Sequence, residues 1–206
     1  MQINFGRKSR LTALGVGLTA AAALAISSSG PALADTTDTG GTATIGLSRA
    51  FIVGAAKSNV IILPETPVTS SYDSTASSDA FTGPVTGGDG EVSVFFGNVQ
   101  LGGSLVLINA ASGKTVTITG LDLNLFTGAL TGILPGGTSQ TALAYIGGDI
   151  STGSDPGPPA TETLSADELA LSGKAARALN TGLSTTSFKR GTNIGSFTTT
   201  FDVTVT

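Results

Sequence analysis

Apolar and polar residues alternate along much of this chain, and the stretch "TVTITGLDLNLFTGALTG" (115–132) shows the pattern well. Val116 and Ile118 point one way, while Thr115, Thr117 and Thr119 point the other. After Gly120 the apolar positions change parity, to Leu121, Leu123 and Leu125, with Asp122 and Asn124 between them. A period of two marks a half-buried β-strand. The same reading predicts strands over 42–54, 58–63, 90–101, 104–109, 114–125, 141–150 and 195–206, each bounded by Gly, Pro, Asn or Asp. Many short strands with turn signals between them suggest a sandwich or barrel, not alternating β-α units. The expected fold is all-β, an antiparallel β-sandwich with one short α-helix near the C-terminus.

The parity change at Gly120 would turn the apolar side chains to the opposite face of a straight strand. A β-bulge or tight bend at the glycine restores their facing. "LSGKAARALNTGL" (171–183) supplies the expected helix. Ser172 can cap it, Ala175, Ala176, Ala178 and Leu179 give it a small apolar face, and Gly182 can end it. Two polar segments, 64–91 and 147–162, read as irregular, the second lying outside the sheet because of Pro156, Pro158 and Pro159. The phrase "FTGPVTGG" (81–88), echoed as "FTGALTG" (126–132), is too short for an internal repeat and reads as hairpin chemistry.

Arg7, Lys8 and Arg10, the apolar run 11–26 and the exit Ala32-Leu33-Ala34 behind Pro31 have the parts of a secretory signal peptide. The expected organisation is a signal peptide over 1–34 and one domain over 35–206. The chain has ten basic and fourteen acidic residues. Three of the basic residues fall within 1–34, so the mature part carries seven against fourteen, a net charge of −7. Such a chain has no electrostatic footprint for nucleic acid or for anionic membranes. Without cysteine it has neither a disulfide framework nor a lipid-anchoring thiol, and the mature part has no apolar run long enough to span a membrane.

The absence of histidine and cysteine removes the Ser-His triad, imidazole general bases, thiol nucleophiles and His-rich zinc sites. Paired carboxylates suffice for glycoside hydrolysis, and Asp73, Asp79, Asp89, Glu91, Asp122 and Asp149 are the candidates. Against that reading, sugar clefts usually carry stacking aromatics, and this chain has no Trp and two tyrosines, Tyr72 and Tyr145. "TGGDGE" (86–91) offers Asp89, Glu91 and carbonyl oxygens to a calcium ion, or reads as a hairpin turn around Gly-Asp-Gly. Lys189-Arg190 is a small basic spot, read as solvated loop charge. No cofactor is expected and the chain is expected not to be an enzyme.

The order of pieces from residue 86 onward, "TGGDGEVSVFFGNVQLGGSLVLINAASGKTVTITGLDLNLFTGALTG", and then "LSADELALSGKAARALNTGLSTTSFKRGTNIG" (164–195), resembles HtaA-type domains, secreted or surface modules of actinobacteria. Leu171, Ser172, Ala175, Ala176, Leu179 and Asn180 occupy the places of that family's "L-T/S-x-x-G/A-A-x-x-L/F-N" helix. "GLSRAFIVG" (46–54) falls where the family has its opening "S-F-x-x-Y" strand, so the resemblance spans most of 42–206. It implies a binding module, and in the family's best-known members haem capture by a tyrosine supported by a histidine. Here Ser48 fits the family serine, Ile52 stands at the tyrosine position, and histidine is absent. Family-type haem ligation is therefore not expected, though Tyr72 or Tyr145 could offer a phenolate.

These observations add up to a secreted, non-enzymatic binding module for a small molecule or a cell-envelope partner. The rival is a structural surface protein whose threonine-rich strands self-associate. N-terminal sequencing of protein recovered from culture supernatant should return Asp35 as the first residue; Met1, or a start deep inside the domain, would refute the signal peptide.

Overall fold

A computed structural model describes residues 36–73 and 78–205. The expected signal peptide and its cleavage point lie outside the described residues. The first part of the chain runs β1 (Thr36–Leu47), α1 (Arg49–Lys57), β2 (Val60–Glu65), β3 (Thr69–Asp73) and β4 (Ser78–Gly88). A 3-10 turn at Val92–Val94 precedes β5 (Asn98–Leu101), β6 (Ser104–Asn109), β7 (Lys114–Asn124) and β8 (Ala129–Ile133). Then follow β9 (Thr141–Asp155), β10 (Ala160–Leu171), α2 (Gly173–Leu183) and β11 (Asn193–Val205).

All strand pairings are antiparallel. Neighbours run β7-β5-β4-β1-β11-β10-β9-β8, and β8 pairs back onto β7. That last pairing closes an eight-stranded barrel, which corrects the sandwich expected from the sequence. Alternation tells which side chains face inward, but a barrel and a sandwich share it; closure depends on strand coiling and stagger. Register shifts in the β1–β11, β4–β5, β7–β8, β8–β9 and β9–β10 ladders supply local bends for that coiling. Phe197, Phe201, Leu123, Leu164, Leu169 and Val99 fill the interior with essentially no exposure.

Gly120 is the bulge that the parity change predicted. Thr119 pairs with Ile133 and Asp122 with Thr131, so β7 spends one residue more than β8 across this step. Gly120 takes the left-handed conformation, φ +57°, and Val116, Ile118, Leu121 and Leu123 are all buried. The same step switches partners. Before it, 114–118 pair with β6; after it, 121–124 pair with β5. On the other side of β5, β4 does likewise, pairing β3 through 78–82 and β5 from Val85 onward. At one end of the molecule the wall thus splays into β7-β6-β2 and β4-β3.

Both helices sit at that splayed end. The helix expected over 171–183 is α2, with Ser172 Oγ accepting from Ala175 N at 3.0 Å and Leu183 as its last residue. A second helix, α1, replaces part of the strand expected over 42–54. An apolar run of that length suits either element, and Ser48 decides between them, its Oγ accepting from Phe51 N at 3.2 Å as an N-cap. Three more expectations change. Residues 90–101 form the 3-10 turn and the short β5; 64–91 carry β3 and β4; and 147–162 belong largely to the β9–β10 hairpin, inside the sheet.

Replacing Gly120 by Val should destabilise the fold by about 1–3 kcal/mol, because a β-branched residue disfavours φ +57° and its Cβ would lie 3.3 Å from Ile133 Cδ1. Thr117→Val, at a half-buried wall position, should change stability by less than about 0.5 kcal/mol. Urea midpoints measure both, and equal midpoints would contradict the bulge.

Candidate ligand site

The family-aligned positions lie at the splayed end. Ser48 is fully engaged in structure: its N–H donates to Ile194 O at 2.9 Å, its Oγ donates to Asn193 O at 3.3 Å, and the same oxygen caps α1. Phe51 packs on Phe188, with ring centroids 6.1 Å apart. One turn of α1 then sets Ile52 over a groove of about 190 Å³ walled by Leu47, Ala55, Ile61 and Ile62. Asp79 is the groove's one ionisable lining residue. The position is helical, not the strand position that the resemblance implied, and Ile52 presents methyl groups where a phenol would present oxygen.

Tyr72 stands directly across from Asp79 in the β3–β4 ladder, which places it by this groove, largely exposed. Tyr145 is elsewhere, on the outer face of β9. The two tyrosines therefore do not share a site.

The opposite end of the barrel gathers acids. Asp38 is 2% exposed. Its Oδ2 accepts from Gly90 N at 2.9 Å, while Oδ1 is buried without a partner. Burial pushes its pKa up to about 6, against the Gly90 hydrogen bond and with help from Asp89 and Glu162. Glu162 Oε2 accepts from Val92 N, and burial raises its pKa too, with Glu91 adding to the effect. Asp122 receives Asn98 Nδ2 at 2.5 Å and is also raised, chiefly by burial. Asp89 Oδ1 accepts from Asn98 N at 2.9 Å, and Glu91 Oε1 from Ser93 Oγ at 3.2 Å.

These carboxylates serve mainly as acceptors for the backbone of 89–98, the segment that presents Val94, Phe95 and Phe96 to solvent. Of the six acids read from sequence, Asp89, Glu91 and Asp122 meet here. Asp79 belongs to the groove. Asp149 lies in β9, its backbone N–H bound by Asp167, and Asp73 ends β3. The segment 86–91 is the end of β4 and the start of a longer connection to β5. Among the described residues no group of three or more acids has the geometry to hold a metal ion.

Sequence reasoning missed Asp38 and Glu162. The signal for Asp38 was hidden by a second bulge. Thr39 pairs with Asp202 and Gly41 with Phe201, leaving Gly40 extra at φ +71°. Across it the inward parity of Ala43, Ile45 and Leu47 shifts to even numbers, so Asp38 points into the barrel end.

Compared with solved structures, the fold is similar to the C-terminal domain of HtaA from Corynebacterium glutamicum, with a TM-score of 0.59 and 13% sequence identity over 82% of this chain and 99% of that domain. Neither the family models nor the curated proteins yield a match to the sequence.

The acid end gives stability a definite pH dependence. Asp38 has a folded pKa of about 6 against 3.8 for the free residue, so the native state binds the proton more tightly than the unfolded chain. Its contribution is least favourable above pH 6 and improves as pH falls through 6 towards 4. Asp122 and Glu162 are shifted the same way. Unfolding free energy should rise by about 1 kcal/mol or more between pH 7.5 and 5, and Asp38→Asn should flatten most of that slope in a urea titration. A wild-type midpoint that falls over this range would contradict the buried charge.

Proposed function

We propose that the protein is a secreted, non-enzymatic binding module of the HtaA type, acting at the cell envelope or outside the cell. Its ligand is a small apolar molecule held in the groove beside α1 without an oxygen–metal bond. The observation that carries this reading is Ile52, set over an aliphatic groove at the position where the resembling family ligates iron. Burial in such a groove is worth about 25 cal/mol per Å² of apolar surface, and Asp79 at the rim can orient a ligand's donor or cationic group. The non-enzymatic part rests on composition: no imidazole, no thiol, and carboxylates that mainly hold backbone N–H groups at the acid end.

The self-association reading has less support. Ring closure leaves β2 and β3 with a free edge among the described strands. Both are short and β2 carries Pro64, features that discourage edge-to-edge pairing.

Two titrations test the reading. The neutral fluorophore N-phenyl-1-naphthylamine should brighten on binding, and Ile52→Asp should abolish the effect while leaving the circular dichroism spectrum intact. Hemin followed by visible absorption should bind weakly, without a high-spin tyrosinate spectrum. Loss of supporting hydrogen bonds alone typically costs a metal site about 10–100-fold in affinity, and loss of the ligand should cost more. A tight, stoichiometric complex abolished by Tyr72→Phe or Tyr145→Phe would overturn this reading and make haem capture the function.

A further inference from the structure

A second cleft, of about 410 Å³, lies on the outer wall of the barrel where β9 and β10 run beneath the start of α2. Lys174, Arg177 and Arg190 line it together with Tyr145, Ser172 and Gly173, and no carboxylate does. Seven basic residues stand outside 1–34, against fourteen acids; three of them share this one cleft. None of the three makes an ion pair or a side-chain hydrogen bond within the described residues. The arrangement is also close. A Cβ built on Gly173 would lie 3.3 Å from Arg190 Cδ and 3.7 Å from Arg177 Nη1, so both arginine side chains reach the same spot over the helix start.

Unpaired like charges brought together repel, and a strongly acidic protein has ample carboxylates with which to neutralise them. Here those carboxylates are elsewhere. The helix adds to the positive field. Ser172 Oγ accepts from Ala175 N and donates to Ala142 O, and Ser172 N donates to Leu143 O at 2.8 Å. The cap is thereby tied to β9, and the N–H groups of Gly173 and Lys174 are left without intrahelical acceptors. Tyr145 offers a neutral hydroxyl at the side.

We infer that this cleft is an anion site for a phosphoryl group, engaged by the Arg177 and Arg190 guanidiniums, Lys174 and the first turn of α2. Planar guanidinium forks match the oxygens of a tetrahedral oxyanion two at a time. Three cations suit a dianion better than a single carboxylate. The open cleft leaves room for whatever carries the phosphoryl group: a free phosphate or a small phosphomonoester presents a dianion, and a phosphodiester polymer presents a row of monoanions to the same guanidinium forks. The inference does not depend on the groove beside α1, since the two sites have no lining residue in common.

The test is a titration of the full mature chain, followed by amide chemical shifts, with inorganic phosphate at fixed ionic strength and chloride as the control salt. Saturable shifts are expected at Gly173, Lys174 and Gly191. The double variant Arg177→Gln/Arg190→Gln should weaken binding at least tenfold, whereas Arg49→Gln should leave it unchanged. Lysine at both positions should retain only part of the affinity, because charge survives and the forked geometry does not. Glycerol 3-phosphate and a poly(glycerol phosphate) run alongside identify the carrier by their order of affinity. Shifts that are linear in phosphate, match those of chloride, or persist in the double variant would overturn the site. Ile52→Asp should bind phosphate normally, so failure here and failure at the groove are separately visible.

Discussion

The architecture depends on β7 serving two sheets in succession. Its first half is bound by β6, and its second half by β5 on one edge and β8 on the other. A single residue at Gly120 reconciles these demands. The bulge turns the strand so that Val116, Ile118, Leu121 and Leu123 all stay buried while the partner changes. On that edge β5 and β6 follow one another along the chain, Leu101 facing Leu121 and Leu105 facing Ile118, and only the β5 part belongs to the ring β7-β5-β4-β1-β11-β10-β9-β8. Helix α2 then packs on the half of β7 outside the ring: a Cβ on Gly182 would lie only 2.5 Å from Val116 Cγ2, so a glycine is needed for this approach.

Splaying at one end and closure at the other give the molecule two chemically distinct poles. At the closed pole the chain tolerates Asp38, an inward-facing carboxylate with one oxygen unpaired, because the other oxygen holds the turn at Gly90. Glu162 does the same for Val92. Two strands distant in sequence thereby fix the segment that links β4 to β5. At the splayed pole, strands give way to helices, and their caps at Ser48 and Ser172 are both wired to neighbouring strands. The helices are therefore held in place by polar contacts as well as by packing.

Much of this was legible in the sequence, for identifiable reasons. Alternation located β6 and β7 closely, the alanine-rich run behind Ser172 located α2, and Gly120 announced its bulge. What escaped was information that sequence distributes over distance. The strands β3, β4 and β10 hide in polar stretches because threonine and serine suit a wet strand face as well as a loop. Closure is a property of eight strands together. Of the cations in the cleft over α2, Arg190 stood out in Lys189-Arg190, where it reads as loop charge; the other two, Lys174 and Arg177, are brought beside it by helix periodicity, three residues apart on one face.

Fold and chemistry also part company in an instructive place. A likeness at 13% identity speaks for the barrel and its helices, and a fold does not carry a function with it. At Ser48 the fold explains the residue completely: a helix must begin where β1 ends, and a hydroxyl caps it. No ligand need be invoked for that serine. Ile52 is different, because nothing in helix formation prefers isoleucine over tyrosine there, and the half-buried side chain faces a groove. Its methyl groups extend an aliphatic wall of Leu47, Ala55, Ile61 and Ile62, and Asp79 is the one ionisable residue lining that groove.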